Sequence, residues 1–212
     1  MNLSYQLYSS REDSDLAGVL KHLADTGYTQ VEGFGGVMGD PAGLRAMMDP
    51  LGLTMPSAHF AIDDLEAKPD EMLTLAKTLG VQSMYAPFLH PDDRPTDVAG
   101  WTAFAERLAA AGKVVTAAGF NFGWHNHDFE FVTLEDGSTP MEIILKTAVD
   151  LEWEADLAWV VRGGADPFEW IDRYAGRITS VHLKDIAPEG ECMDEDGWAD
   201  VGEGVMPWAD LL

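Results

Sequence analysis

Residues 119–131, with the sequence GFNFGWHNHDFEF, hold the end of a helix, a strand and two histidines. Gly119 follows a long stretch of apolar residues at helical spacing and predicts the end of that helix. Residues 121–127 then predict a strand, in which alternation places His125 and His127 on one face. Two imidazoles on one face, followed by acidic residues, indicate a site for a metal ion or for proton transfer.

Outward from this segment, strands and helices alternate along the whole chain. This alternation implies parallel strands joined by right-handed helical crossovers. Seven such units predict an α/β fold of the TIM (β/α)8 barrel type. Because the chain ends within the helix after strand seven, we expect a single domain over 1–212 that lacks the eighth strand, so that its C-terminal unit is incomplete. The predicted strands are 3–8, 30–34, 54–60, 83–88, 121–127, 151–161 and 178–186, and the clearest helices are 14–26, 69–79 and 97–118.

Composition and charge limit the classes of partner. With 212 residues, 46% of them hydrophobic, the chain can bury one sizeable core. The single cysteine, Cys192, excludes an internal disulfide framework and favours a reducing, cytoplasmic setting. No signal peptide or membrane span is visible in the sequence. A net charge of −24 repels nucleic acid and anionic membranes, so neither is an expected partner, and a homo-oligomer is left open.

Polar residues at the predicted strand ends are the candidates for function, because active sites of such barrels lie at the C-terminal ends of the strands. Some have plain structural explanations: His59 and Glu32 also fit a strand-end hydrogen bond or salt bridge, and the histidine pair also fits a packed polar network. A buried carboxylate at Asp156 needs a partner. The candidates are Glu32, His59, His125, His127, Asp156, His182 and Lys184.

Alternation along the predicted strand 178–186 puts His182 and Lys184 on one face, where Lys184 could hold an oxyanion or a phosphate. Trp159, three residues after Asp156, could line one face of a sugar. The acidic run within 187–204 lacks the spacing of a calcium loop, and we expect a lid or a connection there.

Several motifs together resemble the sugar phosphate isomerase/epimerase family of the xylose isomerase-like TIM barrel superfamily, which includes inosose dehydratases and ketose epimerases. The similarity covers nearly the whole chain in the right order. It rests on GWHNHDFEF at 123–131, DLAW at 156–159, GGADP at 163–167, HLKD at 182–185 and VGEG at 201–204.

The resemblance implies a divalent metal, Mn, Mg, Co or Zn, in the mouth of the barrel. It places ligands at Asp156 and His182, with His125 at a position where the epimerases carry a glutamate. The strand-eight glutamate of the epimerases has no counterpart here, which weakens the case for a plain 3-epimerase. The expected metal ligands are His125, Asp156 and His182, the expected catalytic residues are His125, His127 and Lys184, and the expected substrate-binding residues are Glu32, His59, Glu130, Trp159 and Arg162.

Such a site predicts chemistry on a small carbohydrate. A metal polarises a carbonyl and its neighbouring hydroxyl, so that a base can remove the proton between them and give an enediolate. Isomerisation, epimerisation and dehydration all start from that species. Two alternatives are a non-catalytic sugar-binding barrel and a metal-dependent phosphodiesterase of the AP-endonuclease type. The acidic charge disfavours the phosphodiesterase, which must hold DNA phosphates.

Overall fold

The computed structural model describes residues 2–212, which form two compact units. The first unit extends to Pro87 and includes Ala110–Gly123, and the second comprises Phe88–Ala109 with Trp124–Leu212. A single domain over 1–212 therefore stays a prediction, and each unit is described by itself.

Strands and helices alternate through most of the chain. The strands are β1 Ser4–Gln6, β2 Gln30–Gly33, β3 Thr54–His59, β4 Ser83–Ala86, β5 Asn121–His125, β6 Glu152–Asp156, β7 Ile178–His182, β8 Asp185–Ile186 and β9 Trp198–Ala199. The helices are α1 Leu16–Asp25, α2 Pro41–Met48, α3 Ile62–Ala67, α4 Pro69–Leu79, α5 Val98–Ala117, α6 Pro140–Thr147, α7 Leu157–Arg162, α8 Pro167–Tyr174 and α9 Trp208–Leu211.

In the first unit, β1 to β4 pair with their neighbours in chain order, and every pair is parallel. Helix α4 illustrates how the sequence sets the boundaries between these strands. Pro69 begins the helix, where its missing N–H costs nothing, and Gly80 ends it with a φ of 80°. Ala76 and Leu79 are fully buried on its inner face. The predicted helix 69–79 is confirmed.

In the second unit, β6 and β7 form a parallel pair in which Asp156 lies opposite His182. Helices α6 and α8 start where a Thr-Pro and an Asp-Pro pair predict. The Thr139 hydroxyl accepts a hydrogen bond from the N–H of Glu142, and the Asp166 carboxylate accepts one from Phe168. A separate antiparallel hairpin, β8–β9, follows β7.

The core beneath the second unit's polar residues is aromatic. Trp124 and Trp153 are completely buried, and Trp170 packs edge-on against Trp153. Asn126, also completely buried, accepts hydrogen bonds from the Trp153 indole and from the N–H of Asp156, and its amide donates to the Asp156 carbonyl. Asn126 therefore fixes the end of β6 beside the residues that follow β5.

The TIM-barrel type is confirmed as an α/β fold in which β1 to β7 succeed one another in chain order in one sheet. Within residues 2–212, no eighth strand joins this sheet, as expected from the strand count. None of the helices described for residues 2–212 is long and apolar enough to cross a membrane.

Two predicted strands are wrong in part. The strand expected over 151–161 ends at Asp156, because its carboxylate caps α7, which takes up the apolar residues that follow. The strand expected over 178–186 ends at His182, and Asp185 and Ile186 pair with β9 instead. Lys184 therefore follows β7 rather than sharing its alternation with His182.

Candidate metal and substrate site

In the first unit, Glu32 and His59 lie together at the ends of β2 and β3. The Nε2 atom of His59 is 3.4 Å from Oε1 of Glu32. The same carboxylate accepts hydrogen bonds from the Gln6 amide, at 2.9 Å, and from the Ser57 hydroxyl. Both side chains are nearly buried, so four polar residues of three neighbouring strands form one network. Substrate binding by Glu32 and His59 stays a prediction.

In the second unit, the carboxylate of Glu154 lies between two imidazoles. Its Oε2 atom is 3.4 Å from Nδ1 of His125 and 3.4 Å from Nε2 of His182. The centroids of the two rings are 4.3 Å apart. Glu154 is completely buried and His125 nearly so, whereas His182 keeps slight exposure. These three side chains come from the adjacent strands β5, β6 and β7.

This group of three side chains fits a divalent metal. Each offers one ligand atom, and these atoms lie within 4.8 Å of one another. Ligand atoms about 2.1 Å from a tetrahedral ion are roughly 3.4 Å apart, the separation found on both sides of Glu154. Two histidines and one carboxylate are also a ligand set that catalytic zinc sites use, with a position left for water or substrate.

Asp156 has a different environment from the one expected. It is buried, and its Oδ1 accepts a hydrogen bond from the N–H of Trp159, which caps α7. Its Oδ2 lies 3.9 Å from the Lys184 ammonium. Burial raises the pKa of Asp156, although the charges of Lys184 and His182 oppose this. The geometry favours Glu154 over Asp156 as the third ligand, and ligation by Asp156 stays a prediction.

His127 lies just after β5, with its ring 5.1 Å from that of His125. The rings of Phe88, Phe129 and Trp159 surround it at centroid distances of 5.3, 6.0 and 5.5 Å. These aromatic contacts fix the orientation of the imidazole next to the group of ligands, as a proton-transfer residue requires.

Glu130 supports this segment rather than facing an open surface. It is completely buried, and its two carboxylate oxygens accept hydrogen bonds from the Trp124 indole and from the backbone N–H of His127. Burial raises the pKa of Glu130 to about 8 against the effect of these donors. Both oxygens are thus engaged within the protein, and substrate binding by Glu130 stays a prediction.

Lys184 and Arg162 lie in a cluster with two tryptophans. The Lys184 ammonium is 3.6 Å from the centroid of Trp198 and 4.5 Å from that of Trp159. The Arg162 guanidinium is 3.3 Å from the centroid of Trp198 and donates a hydrogen bond to the carbonyl of Asp196. Trp159 and Trp198 contact each other edge to face. Lys184, Arg162 and Trp159 are thus brought together.

Four residues of these clusters, Glu154, Gln6, Ser57 and Trp198, were not among the candidates taken from the sequence. Alternation gave a signal for Glu154, since it lies two residues before Asp156 and shares its face of β6. Gln6 and Ser57 gave only a weak signal, as neutral residues of predicted strands. Trp198 gave none, because its pairing with Ile186 joins residues on either side of the acidic loop.

Comparisons with known proteins find similarity to an inosose dehydratase and to a sugar phosphate isomerase/epimerase. No family model matches the sequence. A curated inosose dehydratase from Geobacillus kaustophilus (strain HTA426) is 27% identical over 191 residues, covering 79% of this chain and 61% of the relative. The chain thus spans about three-fifths of that relative's length.

Solved structures give the same result. A sugar phosphate isomerase/epimerase from Parabacteroides distasonis ATCC 8503 is 28% identical with a TM-score of 0.73, covering 90% of this chain and 77% of that one. The IOLI protein, solved with a zinc atom bound, is 16% identical with a TM-score of 0.75, covering 99% of this chain and 82% of its own. The resemblance seen in the sequence is confirmed, and the 16% match bears on the fold alone.

Proposed function

We propose that the protein is a divalent-metal-dependent isomerase, epimerase or dehydratase of a sugar, sugar phosphate or polyol ketone. The observation that carries this proposal is the Glu154 carboxylate 3.4 Å from a nitrogen of His125 and of His182. The names of the relatives support it, since they include an inosose dehydratase and a sugar phosphate isomerase/epimerase. The set of two imidazoles and one carboxylate supports a metal, and we infer Zn, Mn, Co or Mg.

His125, Glu154 and His182 would hold the metal, with Asp156 nearby on the same face of β6. When bound, the ion would supply Lewis acidity at a substrate carbonyl and its neighbouring hydroxyl. The burial of Glu154 excludes water from the carboxylate, so its charge is available to the cation. The expected cytoplasmic setting stays a prediction.

His127 is the side chain that we propose moves the proton. Its ring is oriented by aromatic contacts beside His125, and an imidazole titrates near neutral pH. Removal of a proton next to the substrate carbonyl leaves an enediolate, whose charge the Lys184 ammonium would stabilise. Return of the proton to the other face gives an epimer, and return to the other carbon gives an isomer. Transfer of the proton from His127 to a β-hydroxyl, which leaves as water, gives a dehydrated ketone.

The remaining predicted substrate residues are Glu32, His59, Trp159 and Arg162. Trp159 offers an aromatic face next to His127, and Arg162 a cation next to Trp198. Stacking of a sugar on Trp159 and hydrogen bonding to Arg162 agree with these positions. A non-catalytic sugar-binding protein would keep the same contacts without moving a proton, so the two functions differ in one measurable event.

The test follows the substrate C–H bond directly. The metal content of the purified protein is measured first, and ketoses, ketose phosphates and inososes are then incubated with the metal-loaded protein in D2O. We expect near-stoichiometric metal and deuterium incorporation next to the carbonyl, both greatly reduced in His182→Ala. Lys21→Ala, at the exposed salt bridge with Asp25, is the control and should leave both unchanged.

Each alternative predicts a different outcome. Metal and ligand binding without deuterium incorporation from any of these substrates would indicate the non-catalytic sugar-binding protein. Cleavage of a duplex with an abasic site would indicate the phosphodiesterase. Absence of metal binding after addition of Zn²⁺, Mn²⁺, Co²⁺ and Mg²⁺ would contradict the proposed site.

A further inference from the structure

One indole ring, that of Trp198, contacts two cations. The Lys184 ammonium is 3.6 Å and the Arg162 guanidinium carbon 3.3 Å from its centroid. At such distances each cation must lie over a face of the ring, since the ring edge keeps in-plane atoms further away. Both cannot occupy one face without overlapping. The ring of Trp198 therefore separates Lys184 from Arg162, with one cation on each face.

This arrangement restrains Lys184 at both ends. Its backbone carbonyl accepts a hydrogen bond from the Trp208 indole, at 3.1 Å. Its ammonium lies over Trp198, near the ring of Trp159 and 3.9 Å from Oδ2 of Asp156. A lysine ammonium is strongly hydrated and normally extends into solvent, yet only 30% of this side chain is exposed.

Trp198 itself is held by the hairpin rather than by the barrel strands. It pairs with Ile186, and the N–H of Ala187 donates to the carbonyl of Gly197. Arg162 donates to the carbonyl of Asp196, which joins the hairpin to the end of α7. The indole therefore has a fixed position relative to both cations.

We propose that Trp198 is a positioning residue for Lys184, holding its ammonium near Asp156 and apart from Arg162. The hairpin β8–β9 would then form part of the proposed active site rather than serve only as a connection between β7 and α9. The part of this inference that concerns turnover rests on the proposed function. The position of Lys184 does not, and it can be measured without a substrate.

The first experiment measures that position by NMR. Reductive ¹³C-methylation labels the six lysines of the chain, and loss of one signal in Lys184→Arg assigns Lys184. A methylated ammonium over an indole face has an upfield ring-current shift. We expect this shift to be kept in part in Trp198→Phe and lost in Trp198→Leu. Phe168→Leu, which removes an exposed aromatic ring of α8, is the control and should retain the shift.

The second experiment measures the catalytic consequence. Trp198→Leu should lower kcat about tenfold with a smaller change in KM, because the group that stabilises developing charge loses its position. Trp198→Phe should restore much of the rate, and Phe168→Leu should stay within about twofold of the parent.

The outcomes separate the two proposals. A Lys184 signal that does not move in Trp198→Leu would overturn the positioning role whatever the activity. If Trp198→Leu lost the ring-current shift of Lys184 without a change in kcat, the position of Lys184 would not matter for catalysis and that part of the proposal would be overturned. If no substrate turns over at all, the proposed function fails while the NMR result still decides the position of Lys184.

Discussion

Asp185 and Asp156 are both buried aspartates of the second unit, but different groups stabilise their charges. Burial alone would raise the pKa of Asp185, yet backbone N–H groups outweigh it and lower that pKa. Burial does raise the pKa of Asp156, whose second oxygen faces the Lys184 ammonium. The donors to Asp185, each at 2.9 Å, are the N–H groups of Ile186, Gly202 and Met206.

The difference shows what separates a structural charge from an available one. Backbone N–H groups cannot move away, so Asp185 is permanently committed to its loop. The neighbours of Glu154 and Asp156 include side-chain cations and imidazoles, which can be rearranged when a metal ion or a substrate arrives. In the proposed function, the charge available for chemistry therefore lies at the ends of β6 and β7.

The largest expected effect is on stability, from Asp185→Asn. The amide keeps one accepting oxygen but turns its NH2 group toward a backbone N–H donor, which loses its acceptor. We expect the free energy of unfolding to fall by about 3 kcal/mol in urea denaturation. Because its pKa is lowered in the folded state, Asp185 stabilises the fold at pH values above the ordinary pKa of an aspartate. This contribution disappears as the pH falls through the lowered pKa. The stability of Asp185→Asn should therefore depend less on acid pH than that of the parent.

The exposed Asp194 of the same loop serves as the control, and Asp194→Asn should stay within about 0.5 kcal/mol of the parent. If Asp185→Asn lowered the free energy of unfolding as little as Asp194→Asn does, the backbone donors would not stabilise the charge of Asp185. The distinction between Asp185 and Asp156 would then be lost.

The next effect is on metal affinity. Glu154→Gln should weaken Zn²⁺ binding about a hundredfold, measured by competition with a chelator, because one of the three proposed metal ligands is lost. Asp156→Asn should weaken it less than about tenfold, since Asp156 lies outside the closest group and asparagine still caps α7. If Asp156→Asn weakened Zn²⁺ binding more than Glu154→Gln, Asp156 rather than Glu154 would be the metal ligand. Circular dichroism should match the parent in both variants.

The smallest effect concerns Glu130, a third buried carboxyl with fewer backbone donors than Asp185. Its pKa is raised to about 8, so the folded state binds the proton more tightly than the unfolded state. Stability should therefore fall as the pH rises from about 5 to 8. In Glu130→Gln most of this decline should disappear, as seen in urea titrations across that range. If stability declined equally in the parent and in Glu130→Gln, other acidic residues would cause the decline.

Much of the fold could be predicted because local signals decide it. Pro69 and Gly80 define α4, and the Thr-Pro and Asp-Pro pairs define the starts of α6 and α8. The errors came where an apolar run suits either structure. Residues 157–161 continue the pattern of β6, and only the cap formed by Asp156 turns them into a helix.

The site could be predicted less well, because its contacts join distant parts of the sequence. Strand ends drew attention to His125 and His182, which the structure places on either side of the Glu154 carboxylate. The choice between Glu154 and Asp156 depends on which carboxylate lies between the imidazoles, and alternation places both on one face. Trp198 depends on the pairing of the hairpin, which an acidic loop does not reveal.

The bonds to Asp185 also have a consequence for motion. They join residue 185 to Gly202 and Met206, so the amides of those residues should exchange slowly with deuterium although exposed chain lies between them. Such an island of protection opens as one cooperative unit. Trp198 could then leave Lys184 only when the whole segment opens, and the rate of that opening would limit how often a bound molecule enters or leaves past the indole.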